Sequence, residues 1–290
     1  MPNARVGQPE RETQNHVIEL FRNPHLLGYT YLGDWTTREN HNIEMDLLTA
    51  NLKKRSYNDT LIRRAVEELR QTALCNNGRE LYATNKAVYS LLRYGAKVKD
   101  DNDDIKTVSF IDWKQVGNND FTIAEEVTIP GGVMDKRPDL VVYVNGIALA
   151  IIELKRSCIS VSNGIRQNIT NQRDDFIAPF FSTVQYTFAG NTSEGMRYGT
   201  ILTPEKYYLE WKNHIPMPQE KYVDELAADI RRVCGILPDK LDCQLYSMFR
   251  KERFLELIRD FIIFDKGIKK VCRHNQYFGI RQAELRIKDG

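Results

Sequence analysis

RPDLVVYVNGIALAIIELKR, residues Arg137 to Arg156, holds two β-branched apolar runs, Leu140 to Val144 and Ile147 to Ile152, separated by Asn145-Gly146. An apolar run, an Asn-Gly pair and a second apolar run predict a β-hairpin, because both turn residues tolerate positive φ. The charged residues stand at its open end: Asp139 where the first strand begins, Glu153 and Lys155 where the second stops. Two carboxylates on adjacent strand ends can hold a hard divalent cation through oxygen and leave the lysine ammonium beside it. Such a group can polarise a phosphodiester, orient a water and balance the charge of a pentavalent transition state. The chemistry that this pattern suits is phosphodiester hydrolysis.

Register bears on that reading. In a regular two-residue turn Val144 opposes Ile147 and Asp139 opposes Ile152, so Asp139 points away from Glu153 and Lys155. A shared site therefore demands a one-residue shift. The expectation is a three-residue Val144-Asn145-Gly146 loop with positive φ at Gly146, or an equivalent bulge between Asp139 and Val144. With the longer loop, Asp139 faces Ile151 and has Glu153 as its diagonal neighbour on one face.

The rest of the chain sets the class. Its 290 residues, 42% hydrophobic and 28% charged, fit one large globular domain or two. A net charge of +2 requires any nucleic-acid surface to be a local cluster of basic residues. Five cysteines without a C-x-x-C pair point to free thiols in a reducing compartment, expected to be the cytoplasm, and against a zinc ribbon or disulfide framework. No run approaches the ~18 apolar residues of a membrane span. The histidines (His16, His25, His41, His214, His274) lack ligand spacing. The serines Ser157, Ser160 and Ser162 lack a G-x-S-x-G elbow. The acidic loop Asp100 to Asp104 lacks the glycine and glutamate of a calcium-binding EF-hand.

Periodicity and punctuation predict helices over Glu10–Phe21, Asn42–Lys54, Asp59–Leu74, Glu80–Leu92 and Gly164–Gln172, with Asn76-Asn77-Gly78 as a break. Strands are expected at Tyr29–Leu32, Val108–Trp113, Phe121–Ile129, Thr183–Ala189 and Met196–Thr203. After an irregular Pro204–Gln219 connection come helices at Tyr222–Cys234, Lys240–Met248, Lys251–Phe264 and Lys270–Arg286. Composition thus places a boundary near Gln219, between a mixed α/β domain and a helical extension.

Pro138-Asp139 and Glu153-Leu154-Lys155 resemble the PD-(D/E)xK nuclease motif. A longer series of stretches is similar to the N-terminal part of the R subunit of type I restriction enzymes: Glu10-Arg-Glu-Thr-Gln14, Tyr31-Leu-Gly-Asp-Trp35, Tyr94-Gly95, Ile111-Asp-Trp113, Asn119-Asp-Phe121, Arg137-Pro-Asp139, Val144-Asn-Gly146, Ile152-Glu-Leu-Lys155, Gly164-Ile-Arg-Gln167 and Tyr198-Gly-Thr200. The resemblance implies an α/β PD-(D/E)xK (restriction-endonuclease-like) core, a central mixed sheet flanked by helices, with a helical C-terminal extension. The implied division is an endonuclease domain over 1–219, a helical linker over 220–265, and the start of a truncated superfamily 2 motor over 266–290. It also implies Mg2+ held by Asp139 and Glu153, Lys155 stabilising negative charge or positioning the attacking water, and Glu10 as a further acidic residue near the metal. Gln167 matches the glutamine of a Q-x-x-x-Y motif, but Asn171 stands where that motif has tyrosine. On the same helix Arg166, with Arg173 just beyond it, can reach phosphate oxygens.

No G-x-x-x-x-G-K-[ST] loop occurs in the 290 residues, so ATP is expected only in a full-length subunit, where the resemblance implies that Gln276 contacts adenine. Implied partners are double-stranded DNA and the methyltransferase and specificity subunits of a type I complex, with no membrane. Two other readings stay open: a stand-alone repair or junction nuclease of the same fold, and a DNA-binding or docking module that does not cut.

Overall fold

The computed structural model describes residues 10–75, 80–212, 223–235 and 237–289. The chain begins with α1 (Glu10–Arg22), β1 (Thr30–Asp34), α2 (Met45–Lys54), α3 (Asp59–Ala73) and α4 (Leu81–Tyr94). A small antiparallel hairpin, β2 (Ala96–Lys99) and β3 (Ile105–Val108), follows. Then come β4 (Phe121–Glu125), β5 (Leu140–Val144), β6 (Ile147–Leu154), α5 (Val161–Asn171), β7 (Tyr186–Asn191), β8 (Gly195–Gly199) and β9 (Leu209–Glu210). The chain continues through α6 (Val223–Cys234), α7 (Lys240–Phe249), α8 (Lys251–Asp260), β10 (Ile262–Asp265), β11 (Ile268–Val271) and α9 (His274–Asp289).

Seven strands form one mixed sheet in the order β1-β4-β5-β6-β7-β8-β9. The β1/β4 and β6/β7 pairs are parallel and the other neighbours antiparallel. The central strands β4, β5, β6 and β7 are buried along their whole length, which explains near-continuous apolar runs without a polar alternation. On one face, Val142, Leu149 and Ile152 meet Val17 and Phe21 of α1, Leu69 of α3, Phe249 of α7 and Leu257 of α8 in a single apolar cluster. The other face packs Val141, Tyr143 and Ile151 against Phe180, Phe181 and Val184, while Ala189 meets Val161 and Ile165 of α5. Each large side chain so buried contributes about 1.5–3 kcal/mol.

Helix α3 shows why the helical layer forms. Asn58 caps it by accepting from the Leu61 amide at 2.8 Å, and Leu61, Ile62, Ala65, Val66, Leu69 and Ala73 recur at the three-to-four spacing that makes one buried stripe.

The hairpin turn is of two residues, not three: Val144 pairs with Ile147, and Asn145 and Gly146 have φ of 53° and 79°. The ladder is nevertheless interrupted, between Val142 and Tyr143, the interval in which the sequence required a shift. The extra residue is on β6: Tyr143 pairs with Ala148 and Val142 with Ala150, leaving Leu149 unmatched. Leu149 and Ala150 both enter the same apolar cluster, as the two side chains of a bulge on one face do. The shift runs opposite to the one a longer loop gives. With Leu140 opposite Ile152, Asp139 comes directly across from Glu153 rather than diagonal to it.

The turn is buried. Asn145 is fully inaccessible and satisfies its amide by donating to the Phe110 carbonyl and Asn119 Oδ1, both at 2.8 Å, while accepting from the Asp120 amide at 2.7 Å. The Gly146 carbonyl accepts from the Glu44 amide at 2.7 Å.

Several stretches depart from expectation: the β2/β3 hairpin was not anticipated, and the strand expected over Phe121–Ile129 ends at Glu125, where Glu126 has φ of 51°. The strand expected over Val108–Trp113 ends at Val108, because Asp112 Oδ1 accepts from the Lys114 and Gln115 amides and folds the chain into a turn. Phe110 and Ile111 are apolar because they plug the core from a loop. The helix expected to reach Phe264 stops at Asp260, and Lys266-Gly267, with φ of 46° and 85°, turns a β10/β11 hairpin whose second strand holds Lys270. The last helix consequently begins at His274. The boundary near Gln219, the break at Asn76-Asn77-Gly78 and His214 lie outside the described residues. Leu241, Leu245, Phe249 and Phe254, from beyond that boundary, share the apolar cluster of the sheet.

A Cβ at Gly146 would lie 2.7 Å from the Glu44 carbonyl oxygen and 2.9 Å from the Leu48 amide, on a backbone with positive φ. Gly146→Ala is therefore expected to destabilise the chain by about 2–4 kcal/mol. Urea unfolding measures it, and a loss below half a kcal/mol would contradict this account of the turn.

Candidate active site

Four of the side chains singled out in the sequence meet where β5 begins and β6 ends. Asp139 Oδ2 accepts from the Leu154 amide at 2.6 Å, which fixes that carboxylate against the end of β6. Lys155 Nζ lies 3.8 Å from the same oxygen and donates to the Leu154 carbonyl at 2.8 Å. Glu10, the first residue of α1, joins them by accepting from Lys155 Nζ at 2.9 Å. Glu153 is opposite Asp139 and fully buried beneath α5, where Asn171 Nδ2 donates to Oε1 over 3.4 Å. Its second oxygen, Oε2, is buried with no hydrogen-bond partner among the described residues. Its neighbour is the Asp139 carboxyl, with which Glu153 shares a hydrogen bond when one of the two carries a proton.

The electrostatics follow from burial. Desolvation pushes the Asp139 carboxyl up to about 6, against the pull of Lys155 and the Leu154 amide. Glu153 is raised well above the ordinary range, first by burial and then by the Asp139 charge. Burial opposes the charge on Lys155, yet Asp139, Glu153 and Glu10 outweigh it and its pKa is raised. Two desolvated carboxylates with one ammonium thus leave an excess of negative potential that a proton or a cation relieves.

A magnesium ion suits this donor set. It is commonly held by one or two carboxylates and completes its octahedron with waters and substrate phosphate. Among the described residues no three His, Cys, Asp or Glu side chains already stand as a metal-binding group. The donors on hand would be Asp139 and Glu153, whose Oε2 receives no N–H donor among the described residues.

The other expected residues fall outside this cluster. Gln167 sits half-buried on α5, one turn before Asn171, and makes no side-chain hydrogen bond among the described residues. Arg166 is exposed and held by Glu205 through bonds of 2.8 and 3.0 Å. Arg173 is exposed and pairs with Asp175 at 2.8 Å.

A neighbouring group escaped the sequence reading. Glu125, buried at the end of β4, accepts from Arg11 at 2.6 and 3.1 Å, from Gln14 at 2.9 Å and from the Tyr31 hydroxyl. Gln14 also donates to the Asp139 carbonyl at 3.3 Å. The stretches Glu10–Gln14 and Tyr31–Trp35 thus converge on one carboxylate beside Asp139. The signal available was a glutamate closing the strand-forming run Phe121-Thr-Ile-Ala124.

This geometry belongs to a chain whose residues 7–206 match the family model described as the type I restriction enzyme R protein N terminus. The chain belongs to that family. It is 28% identical over 243 residues to the type I restriction enzyme HindI endonuclease subunit of Haemophilus influenzae, covering 79% of this chain and 21% of that protein. It is 25% identical over 286 residues to a Methanocaldococcus jannaschii protein provisionally named as the endonuclease subunit of type I restriction enzyme MjaIXP, covering 93% of this chain and 27% of that one. The chain therefore spans about a quarter of the length of these relatives.

The raised Asp139 pKa gives a test free of any metal. Its folded value exceeds the ordinary 3.8, so its contribution to stability is complete below that pH and is lost as pH rises through about 6. In chelator, the unfolding free energy should fall across this window by up to about 3 kcal/mol, and Asp139→Asn should flatten the fall. An identical pH dependence in the variant would refute the assignment.

Proposed function

We propose that this chain is the nuclease part of a type I restriction enzyme R subunit, a PD-(D/E)xK fold that hydrolyses DNA backbone phosphodiesters with Mg2+. The observation that supports it most is the juxtaposition of Asp139 and Glu153 across the hairpin, with Lys155 3.8 Å from Asp139 and Glu153 Oε2 unpartnered. Asp139 and Glu153 would hold the ion, and its chemistry when bound is Lewis-acid polarisation of the phosphate and a lowered pKa of coordinated water.

The chain's own groups do the rest. Lys155 Nζ, anchored by Glu10 and by the Leu154 carbonyl, presents an ammonium that offsets the charge growing on the phosphoryl oxygens or orients the attacking water. Water adds to phosphorus, the bridging P–O bond breaks, and the leaving oxygen departs with a proton. No covalent enzyme intermediate is needed. None of these groups reads a base edge, so cutting is without sequence preference of its own, and target choice falls to a specificity subunit acting with a methyltransferase subunit. Double-stranded DNA is the substrate, ATP belongs to a motor in the full-length subunit, and the cytoplasm is the proposed compartment. No helix among the described residues is long and apolar enough to cross a membrane.

The test uses the full-length subunit assembled with its partners. Asp139→Ala, Glu153→Ala and Lys155→Ala should each reduce cleavage on the order of a hundredfold or more and leave ATP-driven translocation nearly unchanged. Cleavage near the wild-type rate in all three would overturn the reading.

A further inference from the structure

Glu153 lies under α5, and the helix is built to come close there. Gly164 faces β6 and β7, so that a Cβ on it would lie 3.5 Å from Glu153 Cβ and 3.0 Å from Ala189 Cβ. Two turns further on, at the last residue of the helix, Asn171 is only 1% exposed and donates from Nδ2 to Glu153 Oε1 at 3.4 Å. Among the described residues no other N–H donates to the Glu153 carboxylate, and Oε2 is left with no such donor, beside the Asp139 carboxyl. The position that departs from the Q-x-x-x-Y pattern is therefore not at a DNA-facing surface. It is inside the protein, against the candidate metal ligand.

We propose that Asn171 is a positioning residue, whose amide fixes the Glu153 side chain by one oxygen so that the other, Oε2, is the one presented to a divalent cation. The inference rests on the metal site of the proposed function. An asparagine suits the task because its amide donates without carrying charge. It orients a carboxylate without competing with the cation for it, as a lysine would, and without adding a third anion, as an aspartate would. The amide also discriminates between the two carboxylate oxygens, which are chemically equivalent in water. A ligand whose rotamer is fixed in advance binds its metal more tightly, because less freedom is lost on binding, and removing such an outer partner costs about 10–100-fold in affinity.

The test is Mn2+ binding to the 290-residue chain, followed by calorimetry, with metal-free thermal unfolding measured in parallel. Asn171→Leu keeps the shape of the side chain and removes the donor. Asn171→Ala removes both. Each should weaken Mn2+ binding about tenfold or more, with unfolding still cooperative in the absence of metal. Asp139→Ala should abolish binding at this site. Mn2+ affinity within about twofold of wild type in both Asn171 variants, with binding lost in Asp139→Ala, would overturn the positioning role and leave the nuclease reading standing. Unchanged affinity in Asp139→Ala, or no binding by the wild-type chain, would remove the metal site and this inference with it. Failure of both Asn171 variants to fold would assign the residue to the core and overturn the proposal.

Discussion

One unmatched residue, Leu149, holds the candidate site together. Side chains alternate along a strand, so the face on which a residue lies depends on how many residues separate it from the turn. From the Val144–Ile147 pair an unbroken ladder would carry Asp139 to Ile152 and set the two carboxylates on opposite faces of the sheet. The bulge adds one residue to β6 between Ala148 and Ala150 and brings Asp139 across from Glu153. Apolar packing enforces it: Leu149 and Ala150 both enter one cluster, while Ala148 and Ile151 enter the other. Moving the register by a residue would exchange these sets and bury charge in both layers.

The site is assembled against its own stability. Two carboxylates in a desolvated setting repel each other, and the single ammonium of Lys155 does not neutralise both. Such a group persists only because the surrounding structure over-determines it. The Leu154 amide grips Asp139 from β6, Asn171 grips Glu153 from α5, and Glu10 grips Lys155 from α1. Glu125 extends this bracing, since Arg11, Gln14 and Tyr31 all donate to it and Gln14 reaches on to the Asp139 backbone. Helix α1 is thus tied to β4 by its polar face, through Arg11 and Gln14, as well as to the sheet by Val17 and Phe21.

The hairpin and its charges were legible because local rules governed them. Asn-Gly demands positive φ whatever surrounds it, and Asp139, Glu153 and Lys155 are a charged set at the ends of otherwise apolar strands. The need for a shift was also legible, being a matter of parity. Its direction was not, because the choice between a longer turn and a bulge on β6 depends on how Leu149 packs against helices far off in sequence. The same limit hid Asn171 and Glu125, whose partners stand 18 residues away in one case and up to 114 in the other. In Phe110 and Ile111 a tertiary plug imitated a strand, and the β10/β11 hairpin was hidden by an apolar run continuous with the helix before it. The family relationship adds the type of subunit, and the positions of Asn171 and Leu149 add how this chain builds its version of the site.

The central proposal is that the hairpin bulge, which sets Asp139 across from Glu153, and the Asn171 amide together would make a site for one divalent cation beside Lys155. Crystals of the chain grown with a short DNA duplex and Mn2+, measured at a wavelength where manganese scatters anomalously, test it most directly. The account predicts an anomalous peak coordinated by an Asp139 oxygen and by Glu153 Oε2, with a DNA phosphate completing the shell. A peak held by other residues, or none between Asp139 and Glu153 with duplex bound and Mn2+ saturating, would contradict it.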